Sequence, residues 1–177
     1  MSKQCIFIAL SNQKGGVGKS TMTVLLASYF HYVRGKTVAV MDCDYPQFSI
    51  QTLRDRDVSN VEKSEQLQRK LCEQYERVGK KAYPIVTAGA DKVLEAAGSL
   101  SETCDLIFFD LPGTVNSPGV LEAIMNMDYV FTPVIQDRMV MQSSLSFVST
   151  IQDFIRRHPQ VPLKEIRLFW NLSLIHI

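Results

Sequence analysis

An apolar run, CIFIAL at residues 5–10, passes through SNQKGGVGKS directly into the helical segment TMTVLLASYF. The run reads as a buried strand, and a helix that opens straight after a glycine loop carries the chain away from that strand's carboxyl end. To extend the sheet, the chain must cross back over one face, which yields parallel strands joined by right-handed βαβ connections.

The remaining sequence repeats it. Apolar or β-branched runs recur at 37–41 (TVAVM), 84–89 (PIVTAG), 105–110 (DLIFFD), 129–135 (YVFTPVI) and 165–170 (EIRLFW). Between the runs, the spacing predicts helices over 19–34 (closed by Gly35), 60–78, 91–102, 118–127 and 139–157, the last stopped before Pro159. This alternation predicts one α/β domain: a doubly wound, mostly parallel sheet with helices on both faces. Ligands of such sheets bind beyond the carboxyl ends of the strands, and the polar residues cluster there: Asn12 onward, Asp42 to Asp44, Asp110 to Thr114, and Asn171. The segment from Arg54 to Lys81 carries eight basic and six acidic residues. A Ser59/Glu62 capping box would open its helix, and Leu67, Leu71, Tyr75 and Val78 form one stripe of a solvated, amphipathic surface.

Composition narrows the partners. A formal net charge of +1 over 177 residues supplies no global field for nucleic acid or an anionic membrane, so any such binding must be local or belong to an assembly. The four cysteines, Cys5, Cys43, Cys72 and Cys104, are widely spaced with no C-x-x-C pair, which argues for buried free thiols rather than a zinc or disulfide framework. No run approaches the ~18 apolar residues of a membrane span, and the N-terminus lacks a secretory apolar region. The expectation is a cytoplasmic protein with no transmembrane segment.

The loop itself points to phosphate. Gly15, Gly16, Val17 and Gly18 let backbone N–H groups curl around phosphate oxygens, with the positive end of the following helix behind them. Lys19 would reach the β- and γ-phosphates, the Ser20 hydroxyl would join a Mg2+ shell, and the Thr21 amide or hydroxyl would meet the α-phosphate. Asp110 ends an apolar strand, where a carboxylate can hold Mg2+ through water. It begins a D-x-x-G in which the Gly113 amide could sense a γ-phosphate. Asp42 and Asp44 have the i, i+2 spacing that turns both side chains to one side while the chain stays extended.

These residues resemble the ParA/MinD family of ATPases. Lys14 through Ser20, KGGVGKS, is similar to that family's deviant phosphate loop, Asp42-Cys43-Asp44 to its second acidic motif, and Asp110 to its Walker B aspartate. NQKGGVGKS, VMDCDYPQ, FFDLPGTVNSPGV, NMDYVFTPVI and DRMVMQSSLSF resemble more narrowly the ParA-type ATPases, called TraA, of conjugative transposons. The resemblance implies a P-loop domain over 1–171 that binds ATP and Mg2+ and forms an ATP-dependent homodimer in which Lys14 crosses to the partner's phosphates. It also implies that Asp44 orients the attacking water and that Asp42 supports the Mg2+ and the loop. Asn171 would read the adenine edge, for which an amide offers both donor and acceptor. A ParB-like or other stimulating protein and non-specific DNA are the implied partners, the DNA surface being mostly beyond the end of this chain. The protein would then be nucleoid-associated and would serve partition, maintenance or transfer of a plasmid or conjugative element. One departure is local: Tyr45 stands between the second aspartate and Pro46-Gln47, which the family commonly joins directly.

The last six residues, LSLIHI at 172–177, read either as a translated adapter sequence, leaving an incomplete domain that ends near Asn171, or as a continuation of the last strand, since their alternation is partly satisfied. Three other readings compete. A MinD-like positioning ATPase would associate with a membrane. A metabolic P-loop enzyme would need a cluster of cations for a small carboxylated substrate, and no arginine cluster lies near Asp44 or Gly113 in sequence. An electron-donating iron protein would need interface cysteines, and Cys72 and Cys104 lack the flanking pattern.

Overall fold

The computed structural model describes residues 5–113 and 119–171. Thr114 and the proposed adapter-derived tail at 172–177 lie outside the described residues. In chain order the elements are β1 (Ile6–Leu10), α1 (Lys19–Ser28), β2 (Val38–Asp42), α2 (Ser49–Glu62), α3 (Glu65–Val78), β3 (Ile85–Thr87), α4 (Val93–Ser101), β4 (Leu106–Asp110), α5 (Val120–Met125), β5 (Tyr129–Val134), α6 (Arg138–Arg157) and β6 (Glu165–Trp170). All six predicted strands form, and they build one parallel sheet in the order β3-β2-β4-β1-β5-β6.

That order follows from burial. β2 and β4 are buried along their whole length, as strands covered on both faces must be, and successive side chains feed opposite cores. Ala9, Met41, Ile107 and Phe109 pack with Val93, Ala97, Ile124, Phe147 and Ile151 from α4, α5 and α6. Ile8, Val40, Leu106 and Phe108 face the other way, toward Ala27 of α1, Ile50 of α2 and Tyr83. Helices therefore cover both faces, which is the doubly wound α/β arrangement expected of a P-loop domain.

The helices needed correction in two regions. The predicted helix at 19–34 is α-helical to Ser28 and continues as a π-helical turn over Tyr29–Val33, with Gly35 at φ 68° allowing the exit. The single helix predicted at 60–78 is instead a pair, α2 and α3, and Ser59 and Glu62 lie inside α2 rather than at a start. Ser64 caps α3, its Oγ accepting from the Leu67 amide at 3.4 Å. The stripe of Leu67, Leu71 and Tyr75 remains 38%, 52% and 50% exposed, and α3 buries no residue fully.

Candidate functional site

Register brings the chemistry together. Leu10 is paired with Asp110 across β1 and β4, and Asp42 with Asp110 across β2 and β4. The carboxyl ends of three adjacent strands thus form one row, with the glycine loop at one end and both aspartates along it. Neighbouring strands lie about 4.8 Å apart, so groups in such a row share one electrostatic environment.

The loop leaves β1 through Ser11 and Asn12, both buried. The Asn12 side chain donates to the Pro133 carbonyl at 2.6 Å and to Ser144 Oγ at 2.9 Å, while its Oδ1 accepts from the Lys14 amide at 3.0 Å. One buried amide thereby fixes the loop's departure against β5 and α6. Gly16 and Gly18 take φ values of 73° and 87°, where a Cβ is strained, and Val17 between them is fully buried. Asn171 closes the loop's other side: its Nδ2 donates to the Val17 carbonyl at 2.8 Å and crowds Gly18, leaving no room for a side chain there. Its carbonyl oxygen and second amide hydrogen remain for another partner.

Lys19 and Ser20 open α1, with Lys19, Thr23 and Ala27 making the helix's buried line. A Cβ built on Gly113 would lie 3.7 Å from Lys19 Nζ, so the D-x-x-G glycine does border the lysine ammonium. Lys14 is exposed.

Burial perturbs the acids. Asp110 is 1% exposed, and both of its carboxylate oxygens lack a hydrogen-bond partner. Burial pushes its pKa from 3.8 to about 6, opposed first by the Ser20 hydroxyl and then by the Lys19 ammonium. Asp42 is fully buried and is also raised by burial, opposed by the Ile50 and Gln51 amides, which donate to its Oδ2 at 2.9 Å each. Its Oδ1 has no partner. Buried, unsatisfied carboxylate oxygens are costly, and this arrangement suits a cation that completes them.

Among the described residues, no three His, Cys, Asp or Glu side chains gather around one point. That sparse donor set fits Mg2+, which keeps several waters and takes substrate phosphates with one or two carboxylates. Asp110 and Ser20 would hold it, with Asp42 beside them. Burial and the surrounding aspartates push the Cys43 thiol far up, which disfavours its thiolate.

Asp42 and Asp44 do not stay on one extended segment as their spacing suggested. The chain turns after Cys43: the Asp44 carbonyl accepts from the Gln47 and Phe48 amides at 2.8 and 3.0 Å, and Asp42 is drawn inward to the start of α2. Asp44 instead lines an open cleft of about 800 Å³ with Gln13, Gly15, Tyr45, Lys92 and Gly113. Lys92 is a site residue that sequence reasoning missed, and nothing local marks it. Asn12 stood in the predicted polar cluster, but its bonds to Pro133 and Ser144 were not foreseen.

A family model described as "ATPase MipZ" matches residues 6–157. The chain belongs to the ParA/MinD family of ATPases. It is 30% identical over 159 residues to the chromosome-partitioning ATPase Soj of Thermus thermophilus, covering 82% of this chain and 61% of that relative. The chain therefore spans under two thirds of the length of this relative. Its fold is similar to a ParA family ATPase from Chlorobium tepidum (TM-score 0.67, 12% identity, 96% of this chain and 74% of the other). A putative plasmid partition protein from Borrelia burgdorferi bound to AMPPNP is also similar, with TM-score 0.61 and 19% identity over 95% of this chain and 76% of the other. Among the described residues no helix is long and apolar enough to cross a membrane.

Proposed function

We propose that this chain is an ATP-driven switch: it binds Mg-ATP at residues 13–21, pairs with a second copy in the ATP state, and is reset by slow, partner-stimulated hydrolysis. The observation that carries the proposal is the row of unsatisfied carboxylate oxygens on Asp110 and Asp42 beside the glycine loop and Lys19. A site built for a bare anion would not bury carboxylate oxygens without hydrogen-bond partners, whereas one built for a metal–triphosphate pair would.

The residues divide the work. Gly15, Gly16, Val17, Gly18 and the Thr21 amide cradle phosphate oxygens, and Lys19 neutralises the β- and γ-phosphates. Mg2+, when bound, supplies further charge stabilisation to the transferring phosphoryl group. Gly113 borders Lys19 where a γ-phosphate would lie and can report its presence to the segment that follows. Asp44, facing the cleft, orients a water whose oxygen bonds to the γ-phosphorus as the bridging oxygen departs with ADP. Lys14, exposed in a single subunit, reaches the partner's phosphates, so hydrolysis belongs to the pair. Asn171 contacts adenine through the amide groups not spent on Val17.

Partition, maintenance or transfer of a plasmid or conjugative element is the setting this reading favours, supported by the similarity to partition proteins. Non-specific DNA and a ParB-like stimulator are its partners, and the nucleoid its location in the cytoplasm. The test is sedimentation with Mg-AMPPNP or Mg-ADP, together with ATP turnover. Dimers are expected with the triphosphate alone. Lys14→Ala should retain nucleotide and lose turnover by about 10²–10³-fold, the usual loss when a transition-state charge donor is removed. Equal dimerisation with ADP would sink the proposal.

A further inference from the structure

The Lys14 side chain is exposed, yet its backbone is held: the Lys14 amide donates to Asn12 Oδ1 at 3.0 Å, and Asn12 is buried. Whatever holds the Asn12 amide therefore sets where the Lys14 side chain departs. β1 and β5 are paired as far as Leu10 and Phe131, and the Ser11 amide still reaches the Phe131 carbonyl at 3.1 Å. The ladder stops there, because Pro133 has no amide hydrogen to offer the next rung. The Pro133 carbonyl accepts instead from Asn12 Nδ2 at 2.6 Å, a side chain taking the place of a backbone amide and freeing the main chain to turn into the glycine loop.

The other hydrogen of Nδ2 goes to Ser144 Oγ on α6 at 2.9 Å, and Ser144 is fully buried. The Ser144 hydroxyl has already given its own hydrogen to the Val140 carbonyl at 2.7 Å, one turn back in the helix, so toward Asn12 it can only accept. Two acceptors, the Pro133 carbonyl and Ser144 Oγ, thus face one end of the Asn12 amide. A reversed amide would set its oxygen against both of them and turn its hydrogens toward the Lys14 amide, itself a donor, so one orientation alone satisfies every group. We infer that Ser144 is a positioning residue for Lys14: through Asn12 it fixes the peptide from which Lys14 projects, and so sets how well that ammonium meets the phosphates of the second subunit. Being fully buried, Ser144 touches neither nucleotide nor partner. The inference rests on the two-subunit hydrolysis proposed above and assigns control over it to a hydroxyl on α6.

The experiment measures turnover at saturating Mg-ATP, with the chain concentrated enough to pair, and the single subunit's affinity for a fluorescent ATP analogue. The proteins are wild type, Ser143→Ala, Ser144→Ala, Lys14→Ala and the Lys14→Ala/Ser144→Ala double variant. Ser143 is the control, since its hydroxyl donates to the same Val140 carbonyl at 3.0 Å and makes no bond to Asn12. Ser144→Ala should lower turnover at least about tenfold, as a small misplacement of a reacting group does, while its nucleotide affinity stays within about twofold of wild type and shows that the variant is folded. Ser143→Ala should stay within about twofold in both measurements. Adding Ser144→Ala to Lys14→Ala should change turnover by less than about twofold, because no ammonium is left to misplace. Wild-type turnover in Ser144→Ala overturns the inference and leaves the switch standing. So does a fall in nucleotide affinity that matches the fall in turnover, because the bond would then support the phosphate grip as a whole. A full further loss in the double variant also overturns it, since Ser144 would be acting through a group other than Lys14. Wild-type turnover in Lys14→Ala overturns the shared chemistry of the switch and the inference together.

Discussion

Asp110 shows how function is written against stability at a single residue. Its folded pKa is raised from 3.8 to about 6, so between those values the folded state holds a proton that the unfolded state has released. Stability contributed by this group therefore falls as pH rises from about 4 to about 6 and stays reduced above it. A shift of about two units corresponds to at most about 3 kcal/mol at 1.36 kcal/mol per unit. In the nucleotide-free chain with a chelator present, Asp110→Asn should be more stable than wild type at pH 7 by about 1–3 kcal/mol in urea unfolding, and the advantage should vanish near pH 4. The same variant should lose Mg-dependent turnover. An unchanged or lower stability at pH 7 would mean that the carboxylate is compensated by groups other than those around it here. Asp110 was legible in the sequence because a charge ending a five-residue apolar strand has few structural uses. Lys92 was not, because the residues it shares the cleft with come from other loops, and for Asn12 only the position was legible, its partners lying 121 and more residues away.

At the scale of the element, α2 is the helix that the sequence concealed. SIQTLRDRDVSNVE has no sustained apolar stripe, and only Ile50 is fully buried. Its start is also unmarked: Phe48 occupies the capping position without a side-chain hydrogen bond, and the acceptor is Asp42, which binds the Ile50 and Gln51 amides from the end of β2. Propensity rules look for a cap within the adjacent residues, so a cap supplied from the preceding strand escapes them. The strands, by contrast, were readable almost residue for residue, since burial on both faces forces continuous apolar runs. Asp42→Ala should cost about 1–3 kcal/mol in urea unfolding and raise hydrogen exchange at Ile50 and Gln51, because two buried amides lose their acceptor. Asp42→Asn keeps an oxygen for both and should fall within about 1 kcal/mol of wild type. Asp44→Ala, removing a half-exposed side chain, should change stability by no more than about 0.5 kcal/mol. Equal losses at the two aspartates would remove Asp42 from its place at the head of α2.

Over the whole molecule, the two cores are not independent, because each central strand feeds both. Phe108 and Phe109 are consecutive and fully buried on opposite sides of β4, so opening one face strips the other. Side chains then tie the glycine loop to the C-terminal part of the domain: Asn171 after β6 to Val17 across 154 residues, and Asn12 to Ser144 of α6 across 132. A loop gripped in this way cannot bind or release a ligand without involving β5, β6 and α6. Ligand occupancy should therefore shift the unfolding of the entire chain rather than order a local segment. Two-state melting is expected for the ligand-free protein, with one transition seen by tyrosine fluorescence and by far-ultraviolet dichroism. Mg-AMPPNP at 100 times its Kd should add about 2.7 kcal/mol to the unfolding free energy, moving both signals together. Lys19→Ala, which removes the buried cation bordered by Gly113, should lose that gain. Lys14→Ala, measured at protein concentrations too low for pairing, should keep it, since an exposed lysine that serves a partner contributes nothing to its own subunit's grip. A gain abolished equally by both variants would place Lys14 in its own site and leave the second subunit without a chemical role.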